Sequence, residues 1–297
     1  MRRLGVDMAA GAGRAFGTFG ELLQGRLPDG ADFLVTMPID RQATAWFRLD
    51  PNGPLLVFPS DKSKSLALAR SMLRGAGGTL VVDGDLPVGK GLASSSADLV
   101  ATARAVGGAL GLSTEPSAVE DWLRPIEPTD GVMYAGVVAF EHRRVRLRRF
   151  LGVLPPLTVV AVDEGGQFDT VTFNMSPKPY TGADRREYAH LLETLSAAIA
   201  AGDLDTVGAI ATRSAILHQR VVPKHNLDAM IRIAEQSGAL GVVCAHSGTM
   251  TGVLLADGVP GHERRVAGVR AECARLRGAV SVFRSFVFPP NAVPERS

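Results

Sequence analysis

A glycine-rich run leads directly into three serines in the segment Leu86-Pro87-Val88-Gly89-Lys90-Gly91-Leu92-Ala93-Ser94-Ser95-Ser96-Ala97-Asp98. After it, an apolar residue recurs every three or four places, which predicts a helix over 94–110. The serines would stand in the first turn of that helix, where unpaired N–H groups and the helix dipole attract an anion. Glycines let backbone amides approach a ligand closely, and serine hydroxyls donate to phosphate or bind Mg²⁺. The segment predicts a loop for a nucleoside triphosphate, with a serine-capped turn as the alternative.

The loop differs from two common nucleotide-binding motifs. Gly89-Lys90 is followed by Gly91 rather than by Ser or Thr, and the spacing G-x-x-x-x-G-K is absent, so this is not a Walker loop. The spacing G-x-G-x-x-G is also absent, which gives a dinucleotide little support.

Two further glycine-containing segments lie towards the ends of the chain. The first reads Gly17-Thr18-Phe19-Gly20-Glu21-Leu22-Leu23-Gln24-Gly25 and sets a carboxylate between glycines. The second reads Ala245-His246-Ser247-Gly248-Thr249-Met250-Thr251-Gly252 and stands between two predicted strands. Taken alone, each is interpreted as a plain tight turn.

Taken together, the three segments resemble the motifs of the GHMP kinase superfamily, which includes galactokinase, homoserine kinase and mevalonate kinase. Pro-x-x-x-Gly-Leu-x-Ser-Ser, here Pro87 to Ser95, is similar to the central motif, and the other two follow the family's order and spacing. The resemblance covers nearly the whole chain. It implies an α+β, two-domain fold, with an N-terminal domain like domain 2 of ribosomal protein S5 and a ferredoxin-like C-terminal domain. It also implies ATP as phosphoryl donor, Mg²⁺, and a small-molecule hydroxyl acceptor.

A narrower resemblance is to the L-threonine kinases of cobalamin side-chain assembly, and it implies O-phospho-L-threonine as product. The Glu-Pro-Thr-Asp element is the most discriminating of its five parts, because the better-known GHMP kinases differ there. The five parts are Gly20–Gly25, Gly91–Asp98, Ile126–Asp130, Val222–Lys224 and Ala245–Gly248.

The pattern of predicted elements independently favours α+β, because strands and helices are mixed without regular β-α alternation. Strands are predicted over 33–39, 43–49, 55–58, 79–82, 132–139, 144–150, 157–162, 239–245, 250–255 and 280–288. Helices are predicted over 94–110, 117–124, 184–201, 203–218, 225–236 and 261–276, with Ser117 as a cap for the second. The pattern changes near 150–180, around a stretch with two prolines from Ser176 to Gly182. We therefore expect an ATP-binding domain over 1–165 and a C-terminal domain over 166–297.

Composition limits the class of protein. The 297 residues carry 32 basic and 30 acidic side chains, a net charge of +2, which argues against a dedicated nucleic-acid binder. The dense basic run Arg143–Arg149 alternates with apolar residues and is interpreted as the polar side of a strand, with an anion-binding patch as the alternative. No stretch approaches the roughly 18 apolar residues of a membrane span. Two cysteines, Cys244 and Cys273, favour a reduced cytoplasm. Both a monomer and a homodimer stay open.

The superfamily resemblance implies roles for residues of the central motif. Ser95 would bind Mg²⁺, Ser94 would contact phosphate, and Glu127 is the candidate for a second metal ligand, with a solvated residue before a proline turn as its alternative. Residues 58–64 are a candidate for part of the adenine pocket. The predicted nucleotide contacts are Pro87, Val88, Gly89, Lys90, Gly91, Leu92, Ala93, Ser94, Ser95 and Ser96.

On the acceptor side, Asp130 is the candidate catalytic residue. It would accept the proton of the acceptor hydroxyl or only orient that hydroxyl, and a turn cap is the alternative. Lys224 would bind a carboxylate or be a surface lysine, and a structural role is favoured for His246. The predicted substrate contacts are Thr18, Glu21, Gln24, Lys224, Ser247 and Gly248.

One departure concerns the first motif. Mevalonate-type members carry a lysine upstream of its glutamate, whereas this chain has Arg14 and Ala15 there, so a lysine-assisted mechanism is in doubt. The leading hypothesis is an ATP-dependent kinase for the hydroxyl of an amino acid, most of all L-threonine. The alternatives are a GHMP kinase for homoserine, serine, a sugar or another pathway alcohol, and a ligand-binding regulator that has kept the fold and lost catalysis.

Overall fold

The computed structural model describes residues 9–166 and 178–289. The strands in this part of the chain are β1 (Ala10–Arg26), β2 (Asp32–Asp50), β3 (Leu55–Phe58), β4 (Gly77–Gly84), β5 (Val137–Glu141), β6 (Arg146–Gly152), β7 (Leu157–Asp163), β8 (Gly241–Cys244), β9 (Met250–Ala256) and β10 (Ala279–Arg284). The helices are α1 (Ser63–Leu73), α2 (Ser94–Leu110), α3 (Pro116–Leu123), α4 (Gly182–Ala201), α5 (Leu204–His218), α6 (Leu227–Ser237) and α7 (His262–Cys273). None of them is long and apolar enough to cross a membrane.

The strands form one mixed sheet in the order β10-β7-β9-β8-β1-β2-β4-β3, and β5 pairs with β2 and β6 beside this path. β1 and β8 join the two halves of the sheet through the single pair Glu21 and Cys244. Helix α2 packs on β1 and β2, while α5 packs on β8 and β1. This arrangement confirms the predicted α+β class.

Glycine in β1 is what lets α2 lie close to the sheet. A Cβ at Gly11 would stand 2.1 Å from the carbonyl oxygen of Ala105, and one at Gly13 would stand 2.2 Å from that of Ala101. Alanine on the helix completes the fit, because its side chain is small. The predicted helix over 94–110 is confirmed, and these contacts hold its middle turns close to β1.

Several predicted elements differ from the structure. The segment 17–25, interpreted as a tight turn, lies inside β1, where register shifts interrupt its pairing with β2. The strand predicted over 132–139 begins only at Val137. Helix α3 begins at Pro116 and makes no side-chain cap, so Ser117 is not its cap. Helix α1 has no counterpart among the predictions.

The arginines of the basic run pair with acidic side chains of the protein itself. Glu141, only 2% exposed, pairs with Arg144, Arg146 and Arg148, and Arg143 pairs with Asp32. Arg146 and Arg148 are in β6, in line with the interpretation as the polar side of a strand.

The division at residues 165 and 166 stays a prediction. β7 ends just before it and pairs with β9 and β10 in the described part of the chain. The proline stretch from Ser176 to Gly182 lies partly outside the described residues, as do the outer ends of both predicted domains.

Candidate active site

A cleft of about 290 Å³ lies where the start of α2 meets β1 and the turn before β9. It collects residues from all three sequence motifs and from the Glu-Pro-Thr-Asp element. Its lining is Glu21, Leu34, Lys64, Val88, Gly89, Gly91, Leu92, Ala93, Ser94, Ser95, Ser96, Glu127, Pro128, Thr129, Asp130, His142, His246 and Ser247. Most of the predicted nucleotide contacts therefore lie together, while Pro87 and Lys90 do not line the cleft.

The loop before α2 leaves the helix amides open to a ligand. Gly89, Gly91 and Ala93 all have positive φ, at 73°, 79° and 58°. Ala93 is the N-cap of α2 and makes no side-chain cap, so the serine-capped turn is wrong for this helix. The uncapped N–H groups and the helix dipole point into a cleft lined by Ser94 and Ser95, which suits a phosphate.

The two proposed metal ligands are in direct contact. Ser95 donates its hydroxyl hydrogen bond to Glu127. Lys64 donates to Glu127 as well, and its Nζ is 3.2 Å from Ser95 Oγ. Hydroxyl and carboxylate oxygens are the hard ligands that Mg²⁺ prefers, so the donor set fits that ion once phosphate oxygens complete it. Among the described residues there is no group of three or more His, Cys, Asp or Glu side chains that could hold a metal ion by itself.

Asp130 is held beside the phosphate loop by the next serine. The Ser96 hydroxyl donates to Asp130 Oδ2 at 3.0 Å and accepts from the Asp130 backbone amide at 3.0 Å. Burial raises the pKa of Asp130 to about 6, the charge of Glu127 adds to the rise, and the Ser96 hydrogen bond opposes it. A carboxylate with a pKa this close to neutrality is matched to proton transfer near pH 7.

Glu21 faces the same space from β1. It is 3% exposed, and its Oε2 has no hydrogen-bond partner within the described residues. Burial, and then the charge of Asp130, raise the pKa of Glu21 well above its usual value. A buried carboxyl oxygen without a partner is costly, so a donor on a bound molecule would stabilise it.

Three histidines form an uncharged wall next to Glu21. The ring of His246 lies 5.1 Å from that of His142 and 5.5 Å from that of His218. Burial lowers the pKa of His142 to about 4 and that of His218 to about 3, and it also lowers the pKa of His246. At neutral pH all three rings are neutral, so this wall offers hydrogen bonds without charge.

Several predicted substrate contacts lie behind the cleft rather than in it. The side-chain amide oxygen of Gln24 accepts a hydrogen bond from His246 Nδ1 at 2.6 Å, so Gln24 contacts the cleft only through that ring. The Thr18 backbone amide donates to Leu92 of the phosphate loop at 3.2 Å. Lys224 is 4% exposed and donates to the Gly248 carbonyl, so it is not a surface lysine. Of the six, only Glu21 and Ser247 line the cleft.

Lys90 does not line the cleft. It connects the phosphate loop to Asp163 at the end of β7, and this ion pair is called the clasp. Its ammonium is 2.8 Å from Asp163 and donates to the Gly166 carbonyl at 2.8 Å. Asp163 also accepts from Thr249, in the turn before β9. Burial raises the pKa of Asp163, but the hydrogen bonds from Lys90 and Thr249 outweigh it and hold that pKa below its usual value.

We expect Asp163→Asn to raise the KM for the nucleotide about tenfold while kcat changes less, because a charge-assisted hydrogen bond that positions the loop is lost. Steady-state kinetics would separate the two constants. The matched control is Asp121→Asn, since Asp121 is an exposed partner of Arg124 on α3. Equal KM values for the two variants would contradict the clasp.

A second cavity, of about 210 Å³, adjoins the cleft on the side of α1. It is lined by Asp61, Lys62, Ser63, Lys64, Ser65, Val88, Ser94, Ser95, Asp98 and Leu99. The predicted adenine segment 58–64 contributes to this lining from Asp61 onward.

Three lining residues, Leu34, Lys64 and His142, lie outside the motifs that the sequence analysis assigns to the site. Lys64 is only the last residue of the predicted adenine segment 58–64. His142 follows β5, and no sequence motif includes it.

Comparison with known proteins bears on the family and the fold of the chain. The family models described as GHMP kinases N terminal domain and GHMP kinases C terminal match residues 63–137 and 195–267. An L-threonine kinase from Salmonella typhimurium is 27% identical over 274 residues, which cover 88% of this chain and 85% of that protein. An L-threonine kinase from Citrobacter freundii is 26% identical over 246 residues, or 80% of this chain and 83% of that protein.

Solved structures share the fold at lower identity. A homoserine kinase from Cytophaga hutchinsonii superposes with a TM-score of 0.70 and 15% identity, covering 97% of this chain and 98% of that one. The L. major mevalonate kinase in complex with R-mevalonate gives 0.66 and 18%, covering 94% and 96%. The solved structures share the fold, and the two family models identify the chain as one that carries the N-terminal and C-terminal domains of the GHMP kinases.

Proposed function

We propose that the protein transfers the γ-phosphoryl group of ATP to the side-chain hydroxyl of an amino acid, and that the acceptor is L-threonine. One observation carries the proposal. Adjacent serines in the first turn of α2 contact two different carboxylates, Ser95 that of Glu127 and Ser96 that of Asp130. In this proposal Glu127 is the metal ligand and Asp130 is the base, and the start of α2 brings both carboxylates to one anion-binding site, which suits transfer of a phosphoryl group.

The chemistry follows from these positions. The phosphates lie along the loop 88–96, with the nucleoside towards the cavity beside α1. The acceptor hydroxyl approaches from the side of Asp130, which takes its proton as the oxygen forms a bond to the γ-phosphorus. The bond between that phosphorus and the β–γ bridging oxygen breaks, and ADP carries the electron pair away. If Asp130 only orients the hydroxyl, the proton leaves with the product phosphate instead.

Ser95 and Glu127 are the residues that would hold Mg²⁺. When bound, this ion neutralises phosphate charge and helps to align the γ-phosphoryl group for attack. The protein's own part is to keep the two ligands adjacent, which the hydrogen bond between them does.

The acceptor pocket suits a small polar molecule. Glu21 supplies a buried oxygen that lacks a partner within the described residues, and His142 and His246 supply neutral ring nitrogens and surface. The two curated L-threonine kinases, which align over 80–88% of this chain, support threonine as acceptor. Localisation in the cytoplasm, the absence of a nucleic-acid or membrane partner, and a monomeric or homodimeric state remain expectations from the sequence.

The direct test is ADP release with Mg-ATP against L-threonine, L-serine, L-homoserine and a panel of sugars. We expect the largest kcat/KM with L-threonine, formation of O-phospho-L-threonine by mass spectrometry, and loss of turnover when EDTA removes the metal. Turnover with another acceptor but none with L-threonine would refute the substrate and keep the kinase. Nucleotide binding without turnover of any acceptor would favour a ligand-binding regulator.

A further inference from the structure

Lys64 is the only lysine or arginine that lines the cleft among residues 9–166 and 178–289. A triphosphate and its transition state carry several negative charges, and the other charged residues of this lining are the carboxylates Glu21, Glu127 and Asp130. We propose that Lys64 is a catalytic residue, the cation that neutralises the phosphoryl group during transfer. This inference rests on the proposed kinase function.

The position of Lys64 supports this role. It is the second residue of α1, and its ammonium reaches across to both Ser95 and Glu127 at the start of α2. Its side chain is 44% exposed, whereas that of Glu127 is 12% exposed. A half-exposed lysine with a flexible stem can move a short distance at small cost, so it can follow the phosphate.

In the proposed role, Lys64 exchanges its partner Glu127 for phosphate when a nucleotide binds. Without nucleotide, Lys64 neutralises a carboxylate that is mostly shielded from water. With nucleotide, Glu127 would hold the metal, and the ammonium would then be available to pair with the γ-phosphate. Lysine binds phosphate as a point charge and does not need a fixed geometry for this.

Other nearby lysines already serve structural contacts. Lys62 pairs with Asp98 at 2.6 Å, and Lys90 pairs with Asp163 at 2.8 Å. Lys224 is buried against the Gly248 carbonyl. Arg14, which stands near the position of the mevalonate-type lysine, is exposed and does not line the cleft. Lys64 therefore supplies, from α1, a positive charge that the first motif of this chain does not supply.

Nucleotide binding and turnover of Lys64→Met test the proposal. The matched control is Arg70→Met, which removes one exposed positive charge from the same helix outside the cleft. We expect kcat to fall about 10²–10³-fold, as on removal of one preorganised charge from a transition state. Calorimetry should show weaker binding of AMP-PNP by about tenfold, weaker ADP binding to a lesser degree, and unchanged binding of adenosine. Lys64→Arg should restore part of kcat, because it restores the charge.

Three results would overturn the proposal. One is turnover and AMP-PNP affinity in Lys64→Met that match Arg70→Met. Another is an equal loss of adenosine binding, which would mean a structural role for Lys64. The third is Lys64→Arg no more active than Lys64→Met. Thermal melts of all variants show whether they fold. The binding series needs no acceptor, so a wild-type protein that releases no ADP would refute the proposed function while the affinities still judge Lys64.

Discussion

The Asp130→Asn protein is expected to lose about 10³-fold in kcat while its KM for ATP changes little, because proton transfer by a positioned base contributes about 10²–10⁴-fold. Ser96 would still donate its hydrogen bond to the amide oxygen, so the geometry of the loop is kept. The control is Asp121→Asn on α3, because the exposed Asp121 carboxylate pairs with Arg124 and does not line the cleft. Turnover of Asp130→Asn within a few-fold of wild type would mean that Asp130 only orients the acceptor.

The pH profile gives an independent check on the same residue. A general base must be deprotonated, and burial raises the pKa of Asp130 to about 6. The wild-type kcat/KM should therefore fall about tenfold per pH unit below about pH 6. The residual activity of Asp130→Asn should lack this limb. A wild-type profile that stays flat down to pH 5 would contradict the assignment.

As pH rises, the free energy of unfolding should fall while kcat/KM rises. The pKa of Asp130 is raised from 3.8 to about 6, so the folded state keeps a proton that the unfolded state releases between about pH 4 and 6. Stability therefore falls as pH rises through this window, by at most roughly 3 kcal/mol. Asparagine carries no charge, so Asp130→Asn should melt at a higher temperature than wild type at pH 8 and show little difference at pH 4. A lower melting temperature at pH 8 would contradict this.

The start of α2 could be predicted from the sequence because its signals are local. Glycines, three serines and an apolar period all lie within about two dozen residues, and the observed helix has the predicted ends. Helix α1 lacks such signals. Its N-cap, Lys62, makes no side-chain cap, and no acidic residue stands in its first turn. Lys64 consequently belonged to no predicted helix, and its approach to Glu127 is a tertiary contact.

β1 shows why glycines misled the sequence interpretation. They suggested a tight turn, but the structure needs glycine at these positions because a distant part of the chain approaches the backbone closely. A Cβ at Gly25 would stand 2.6 Å from the ring of Tyr188, and one at Gly20, where φ is +54°, would stand 2.3 Å from the carbonyl oxygen of Cys244. These partners lie more than 150 residues away, so a local pattern carries no trace of them. The ring contact between His142 and His246 in the cleft also joins residues about a hundred positions apart, so no local pattern predicts it.

Gly248→Ala is expected to reduce kcat/KM about 10²-fold and to weaken nucleotide binding at least tenfold. A Cβ at Gly248 would stand 2.2 Å from the carbonyl oxygen of Lys90 and 2.5 Å from the amide nitrogen of Gly91, both of them backbone atoms. The turn before β9 and the phosphate loop would have to separate. A displacement of about 1 Å from reacting geometry can cost about 10²-fold in rate.

The control for this loop contact is Gly268→Ala. Gly268 lies within α7, and nothing stands within 4 Å of a Cβ built on it. Alanine there should raise the free energy of unfolding by about 1 kcal/mol, through helix propensity, and leave turnover unchanged. The two variants add the same methyl group, so the difference between them isolates the packing of two loops that come from distant parts of the chain. Normal AMP-PNP affinity in Gly248→Ala would show that nucleotide binding does not depend on the close packing of these two loops.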